Sequence, residues 1–155
     1  MSSIRDFTGK NRVFNGITNS GTNTFTGTTS VGELLENLTD ITQSSNVITL
    51  DYSVANVFFL TGTAFSANYT VAITNNPTTD GKICSYTFIH TQAATGYRPT
   101  AISVNGTSIT LNFLGAAAPT PTSSAGKVDI FTFTILRRSS TFTAYLTSAL
   151  NIGTP

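Results

Sequence analysis

His90 is the only histidine in the chain, so a Ser-His-Asp, Cys-His or multi-histidine metal site cannot form within one copy. Several His90 rings could meet only on a symmetry axis between copies. Its setting in Tyr86-Thr87-Phe88-Ile89-His90-Thr91, near a strand end, reads as a hydrogen-bonded structural histidine. Five aspartates and two glutamates leave glycoside hydrolysis by a carboxylate pair as a formal option. Their settings point elsewhere: Asp80 precedes Gly81 in a turn, Asp51 ends a strand, Asp129 stands near the start of another, and Glu33 completes a helix cap. Cys84, the single cysteine, sits in an apolar strand and reads as a small buried residue rather than a reactive thiol. The sequence has no glycine loop that cradles phosphate and no dinucleotide fingerprint. The expectation is a protein that is not an enzyme, with no catalytic residue, metal or cofactor. Arg137 and Arg138, adjacent in a turn of a weakly charged chain, are candidates for contact with an acidic partner; the ordinary alternative is a solvated turn.

Strands must position these groups. Two threonine-laced apolar runs, Val128 to Leu136 and Thr141 to Thr147, flank the polar Arg137-Arg138-Ser139-Ser140 and read as a long β-hairpin. A two-stranded ribbon buries too little to stand alone, so it must close a larger sheet. Val47 to Asp51, Asn56 to Leu60, Tyr69 to Thr74 and Lys82 to Thr91 supply further strands. Ala101 to Val104 and Thr107 to Phe113 flank Asn105-Gly106, a pair that tolerates the positive φ of a type I′ turn. About eight antiparallel strands predict an all-β fold, a jelly-roll-like β-sandwich over residues 46–155. Self-similarity is too weak to indicate a solenoid or propeller.

Before that domain, residues 1–30 read as an extended arm with isolated apolar side chains, Phe7, Val13, Phe14, Ile17 and Phe25. A disordered tail and an arm docked on neighbouring subunits both fit, and the recurrence of large apolar residues favours docking, since disordered segments are poor in aromatics. Residues 31–45 read as a short helix and linker. Ser30 and Glu33 form a capping box, and Val31, Leu34, Leu35 and Leu38 share one face. That face either caps its own sandwich or meets other copies around a threefold axis.

Charged residues make up 10% of the chain, and Thr, Ser and Asn together exceed a third of it. Such a composition points away from an α-rich enzyme and toward β structure whose surfaces are covered in an assembly. The net charge of +1, with scattered Lys and Arg, lacks the footprint of a nucleic-acid binder. No apolar h-region opens the sequence and no stretch approaches a membrane span, so neither export nor a membrane partner is expected.

The Pro/Thr loop Ala118-Pro119-Thr120-Pro121-Thr122, the turn ending in Gly126-Lys127, the Val-Asp-Ile-Phe-Thr-Phe strand and the aromatic final strand form an ordered series. Over roughly Val47 to Leu150 this series resembles the C-terminal β modules of fibre and virion structural proteins of tailed bacteriophages, cyanophage-like ones included. The resemblance implies a non-enzymatic virion structural protein, assembled in the host cytoplasm. On this reading the arm attaches it to major capsid or other virion proteins as a head decoration or fibre-type component, and the β domain is displayed. With the leucine face it also implies a homotrimer. The alternative is a short tail-fibre or receptor-binding protein that recognises host surface glycan; Tyr97 and Tyr52 are the loop aromatics available for such a role.

Overall fold

Period-two alternation sets the architecture. In Tyr69-Thr70-Val71-Ala72-Ile73-Thr74, and again from Cys84 to His90, every second side chain is buried, so each strand has one face to cover. In the computed structural model, which describes residues 36–62 and 64–153, two sheets meet that need by packing face to face. The protein is an all-β sandwich. The larger sheet orders its strands β1 (Leu38–Ile41), β3 (Val57–Leu60), β5 (Lys82–Thr91), β9 (Val128–Arg138), β10 (Thr141–Ile152) and β8 (Leu111–Phe113). The smaller sheet runs β2 (Val47–Asp51), β4 (Tyr69–Thr74), β6 (Pro99–Val104) and β7 (Thr107–Ile109).

Strand pairing differs from the antiparallel arrangement expected. The described residues form ten strands, and five of their eight pairings are parallel. From β1 to β6 the chain alternates between the sheets, so each strand rejoins its own sheet only after crossing the other. Neighbours in a sheet therefore run the same way, and the crossover that a parallel pair requires is itself a strand. This part winds like a short two-sheet solenoid. Its turns are unequal in length, Phe58 pairing with Thr39 on one side and Phe88 on the other, which is why no sequence repeat betrays it.

After β6 the pattern changes to closure. Asn105 and Gly106 take φ of 49° and 80° and join β6 to β7 in the expected hairpin. The run Thr107 to Phe113, expected as one strand, divides at Thr110, with β7 in the smaller sheet and β8 crossing to pair with β10. The expected terminal hairpin, β9 with β10, holds register from Arg138–Thr141 to Ile130–Ala149, and β9 pairs antiparallel with β5. At the other end the β domain starts at Leu38, ahead of the expected boundary at residue 46. Leu38 is a strand residue, paired with Val57, and not the end of a helix; Val31, Leu34 and Leu35 lie outside the described residues.

Phe58, Phe88 and Phe131 lie side by side on β3, β5 and β9, each no more than 1% exposed, with Tyr86 and Phe133 in the next row. Opposite them the smaller sheet contributes Leu50, Val71, Ile73 and Val104. Truncating one such ring to alanine costs about 3–5 kcal/mol. A polar bridge spans the sheets at one end: Tyr86 Oη donates to Asn76 Oδ1 at 2.6 Å, while the Asn76 backbone exchanges two hydrogen bonds with the Asn105 side chain at 3.0 and 2.8 Å.

The tip of the terminal hairpin is strained. Ser139 and Ser140 take φ of 49° and 61°, a region that favours Asn and Gly, and the Ser140 N–H is held by both Asp80 carboxylate oxygens at 3.0 and 3.1 Å. Replacing Ser139→Asn and Ser140→Gly together keeps that backbone donor and removes the strain. The pair should stabilise the protein by about 1 kcal/mol in urea unfolding with an unchanged slope; a loss of stability would mean that the serine side chains support the turn.

Candidate functional site

β5 brings His90 inward directly opposite Asp129 at the start of β9, at 1% and 0% exposure. A charged group in that position needs partners, and Asp129 has four donors. Oδ2 accepts from Gln92 Nε2 at 2.7 Å and from the Thr122 N–H at 2.9 Å; Oδ1 accepts from Thr122 Oγ1 at 2.6 Å and from the Asn151 N–H at 3.0 Å. A carboxylate offers about four lone-pair sites, so its capacity is used in full. The donors come from three places: just after β5, the Pro/Thr loop, and the end of β10.

Gln92 extends the cluster. Its amide also donates to the Tyr97 carbonyl at 2.9 Å and its Oε1 accepts from the Tyr97 N–H at 3.1 Å, which pins the loop after β5. With both amide hydrogens used at 2.7 and 2.9 Å, the 3.4 Å approach to His90 Nε2 is left without one. Tyr69 Oη lies 3.5 Å from the same nitrogen. The His90 ring is stacked between Phe88, at 5.2 Å between centroids, and Phe131, at 5.7 Å. Beside it, Gly96 packs directly on the Pro/Thr loop: a Cβ there would collide with the Thr122 carbonyl.

Burial dominates the electrostatics. It pushes His90 down to about 4, the nearby Asp129 charge opposing, so the ring is neutral at pH 7. For Asp129 burial alone would raise the pKa, but the bonds from Thr122, Asn151 and Gln92 outweigh it and hold the carboxyl below its ordinary value. Tyr69 is pushed well above the usual phenol range by burial and by the Asp129 charge. With His90, Gln92 and Asp129 all at 4% exposure or less, the cluster joins segments of chain and presents no reactive atom to solvent.

Other residues singled out by the sequence lie apart from it. Cys84 is buried and its thiol pKa is raised by burial. Arg137, expected in a solvated turn, is drawn inward on β9, its guanidinium carbon 4.4 Å from the centre of the Phe142 ring and its Nε 3.4 Å from Asp80 Oδ1, without hydrogen-bond geometry. Arg138 is exposed. Tyr97 packs against the core, whereas Tyr52 is 39% exposed. Leu38 is 61% exposed on the outer side of the edge strand β1. Phe7, Val13, Phe14, Ile17 and Phe25, with Val31, Leu34 and Leu35, lie outside the described residues. Among the described residues no three of His, Cys, Asp and Glu are grouped so as to hold a metal ion.

Sequence reasoning gave Asp129 an ordinary role and passed over Gln92 and Thr122. The signal was available: Val128-Asp129-Ile130-Phe131 places a carboxylate in phase with inward-facing Phe131 and Phe133. Compared with known proteins, the chain matches no family model, no curated protein and no solved structure.

Neutral His90 gives stability a pH dependence. Because its folded pKa of about 4 is below the ordinary 6.5, the unfolded chain binds the proton first as the pH falls. Its contribution is complete above about pH 7.5 and declines toward pH 4, by about 3 kcal/mol in all. Urea unfolding at stepped pH should give this decline in the natural chain and lose it in His90→Phe; an equal decline in both would assign it to other groups.

Proposed function

We propose that this chain is a non-enzymatic structural component of a bacteriophage virion, of head-decoration or fibre type. Residues 1–30 would attach it to major capsid or other virion proteins, and the β domain would be displayed. The observation that carries this reading is the winding of β1 to β6. Both sheets begin with parallel strands, and among the described residues no strand pairs with the outer sides of β1 and β2, where Val47 exchanges backbone hydrogen bonds with Ser44, so these edges offer further donors and acceptors to other chain. The hairpins β6–β7 and β9–β10 close the far end, as suits a displayed tip. A surface carried by Thr, Ser and Asn with few charges, and buried polar groups committed to the fold, support a part made for assembly over one made for turnover.

Recognition of host glycan as a short tail-fibre protein is the second reading. Exposed Tyr52 favours it, since sugars stack on accessible aromatic faces. Antibodies against the purified chain, applied to intact particles of the phage that encodes it, separate the two. Labelling across the head supports decoration, labelling confined to the tail supports a fibre role and makes binding of host glycan the next measurement, and unlabelled particles whose protein content lacks the chain would overturn both.

A further inference from the structure

The turn between β6 and β7 carries a dipeptide with covalent chemistry of its own. In Asn105-Gly106 the glycine has no Cβ to shield its nitrogen, and both residues are exposed to solvent. That nitrogen can attack the side-chain carbonyl carbon of Asn105 and close a five-membered succinimide. Ammonia leaves, carrying away the proton of the Gly106 nitrogen. One water then adds to either ring carbonyl and opens the ring to aspartate or to isoaspartate, whose backbone runs through the former side chain.

The fold holds this reaction back. Asn105 is gripped at three points: its N–H donates to the Ile73 carbonyl at 2.8 Å, its Oδ1 accepts from the Asn76 N–H at 3.0 Å, and its Nδ2 donates to the Asn76 carbonyl at 2.8 Å. Bonds at both ends of the amide, from one residue, fix its plane. Attack needs that plane turned toward the Gly106 nitrogen and the carbon made tetrahedral, which breaks both bonds. Ring closure also sets the rotation about the Asn105 Cα–C bond outside the left-handed region in which this residue stands, with φ of 49°.

Neither product replaces the amide. An aspartate lacks the Nδ2 donor and sets a charged oxygen against the Asn76 carbonyl. Isoaspartate lengthens the backbone of a two-residue turn and so disturbs the pairing of Val104 with Thr107. Asn76 is itself buried and accepts from Tyr86 on the larger sheet, so the loss reaches the bridge between the sheets. We propose that Asn105 is a fold-gated modification site: the closed turn protects the amide, and opening of this end of the smaller sheet lets it convert to an acid that keeps the turn from closing as before. The site is independent of the virion reading.

Peptide mapping by mass spectrometry tests the gate, on the full chain held for weeks at mildly alkaline pH with and without urea. A second Asn-Gly pair, Asn15-Gly16, serves as the reference in urea, where the two should convert at similar rates. Without urea Asn105 should convert roughly 100-fold more slowly than in urea, the factor expected when three hydrogen bonds must open first. Equal conversion of Asn105 in the two conditions would overturn the proposal. The Asn105→Asp chain tests the consequence. It should unfold at a lower urea midpoint than the natural chain at neutral pH, and the gap should narrow as the pH falls toward about 4.5, where a protonated carboxyl donates to the Asn76 carbonyl again. A midpoint equal to the natural one at neutral pH, or a gap that does not change with pH, would also overturn it.

Discussion

A carboxylate taken fully out of water must be matched by donors or give up its charge, and Asp129 keeps its charge because four donors converge on it. The three segments that supply those donors have few ladder bonds of their own: Gln92 bonds through its backbone to Gly126 and Lys127, and β10 regains its pairing with β9 only at Ile152. The Pro/Thr loop crosses the end of the sandwich without strand partners. The end of β10 passes a register irregularity between Ala149 and Ile152, so its ladder is broken there. The loop after β5 turns back sharply through Gln92 and Tyr97. One side chain anchors all three, and Gly96 has no Cβ because the Thr122 carbonyl already fills the space. Removing any one donor would leave buried charge unmatched, which costs more than the bond alone contributes.

That anchor lies where two modes of construction meet. The first six strands wind between the sheets in parallel. Of the last four, β7, β9 and β10 pair antiparallel and β8 returns beside β10, so the winding ends there. His90, stacked in the aromatic row of Phe88 and Phe131, joins the coil to its closure and remains neutral under that row. The inside is thus strongly specified by aromatic shape and one matched charge. The outside is specified weakly, by hydroxyls, with the row Phe59, Ile89 and Ile130 across the larger sheet as an apolar exception.

Much of the fold was legible in the residues. Alternation marked β2, β4, β5 and β9, Asn105-Gly106 gave its turn, and threonine with apolar residues gave the terminal hairpin, because those features are local. Sheet membership was not legible. Strands such as β2 and β3 follow each other closely in sequence yet belong to different sheets, and nothing within Val47 to Leu60 encodes which neighbour each will find. Leu38 illustrates the limit: a leucine with helical spacing to Leu34 and Leu35 lies in β1 because pairing with Val57 outweighs local propensity. The cluster at Asp129 was half legible. The phase of the carboxylate could be read from Phe131 and Phe133, but its donors, Gln92, Thr122 and Asn151, are distant in sequence and converge only once the sandwich closes.

The direct measurement of the anchoring role is amide hydrogen exchange by NMR, read at the Thr122 and Asn151 N–H groups. Both donate to Asp129, Thr122 from the Pro/Thr loop and Asn151 from the irregular stretch of β10 between Ala149 and Ile152. If the carboxylate holds the closure, these two amides exchange as slowly as those of Phe131 and Phe133 in the central strands, through global unfolding. Exchange at the rate of an open loop, with the central strands still protected, would contradict the account and reduce Asp129 to a local contact.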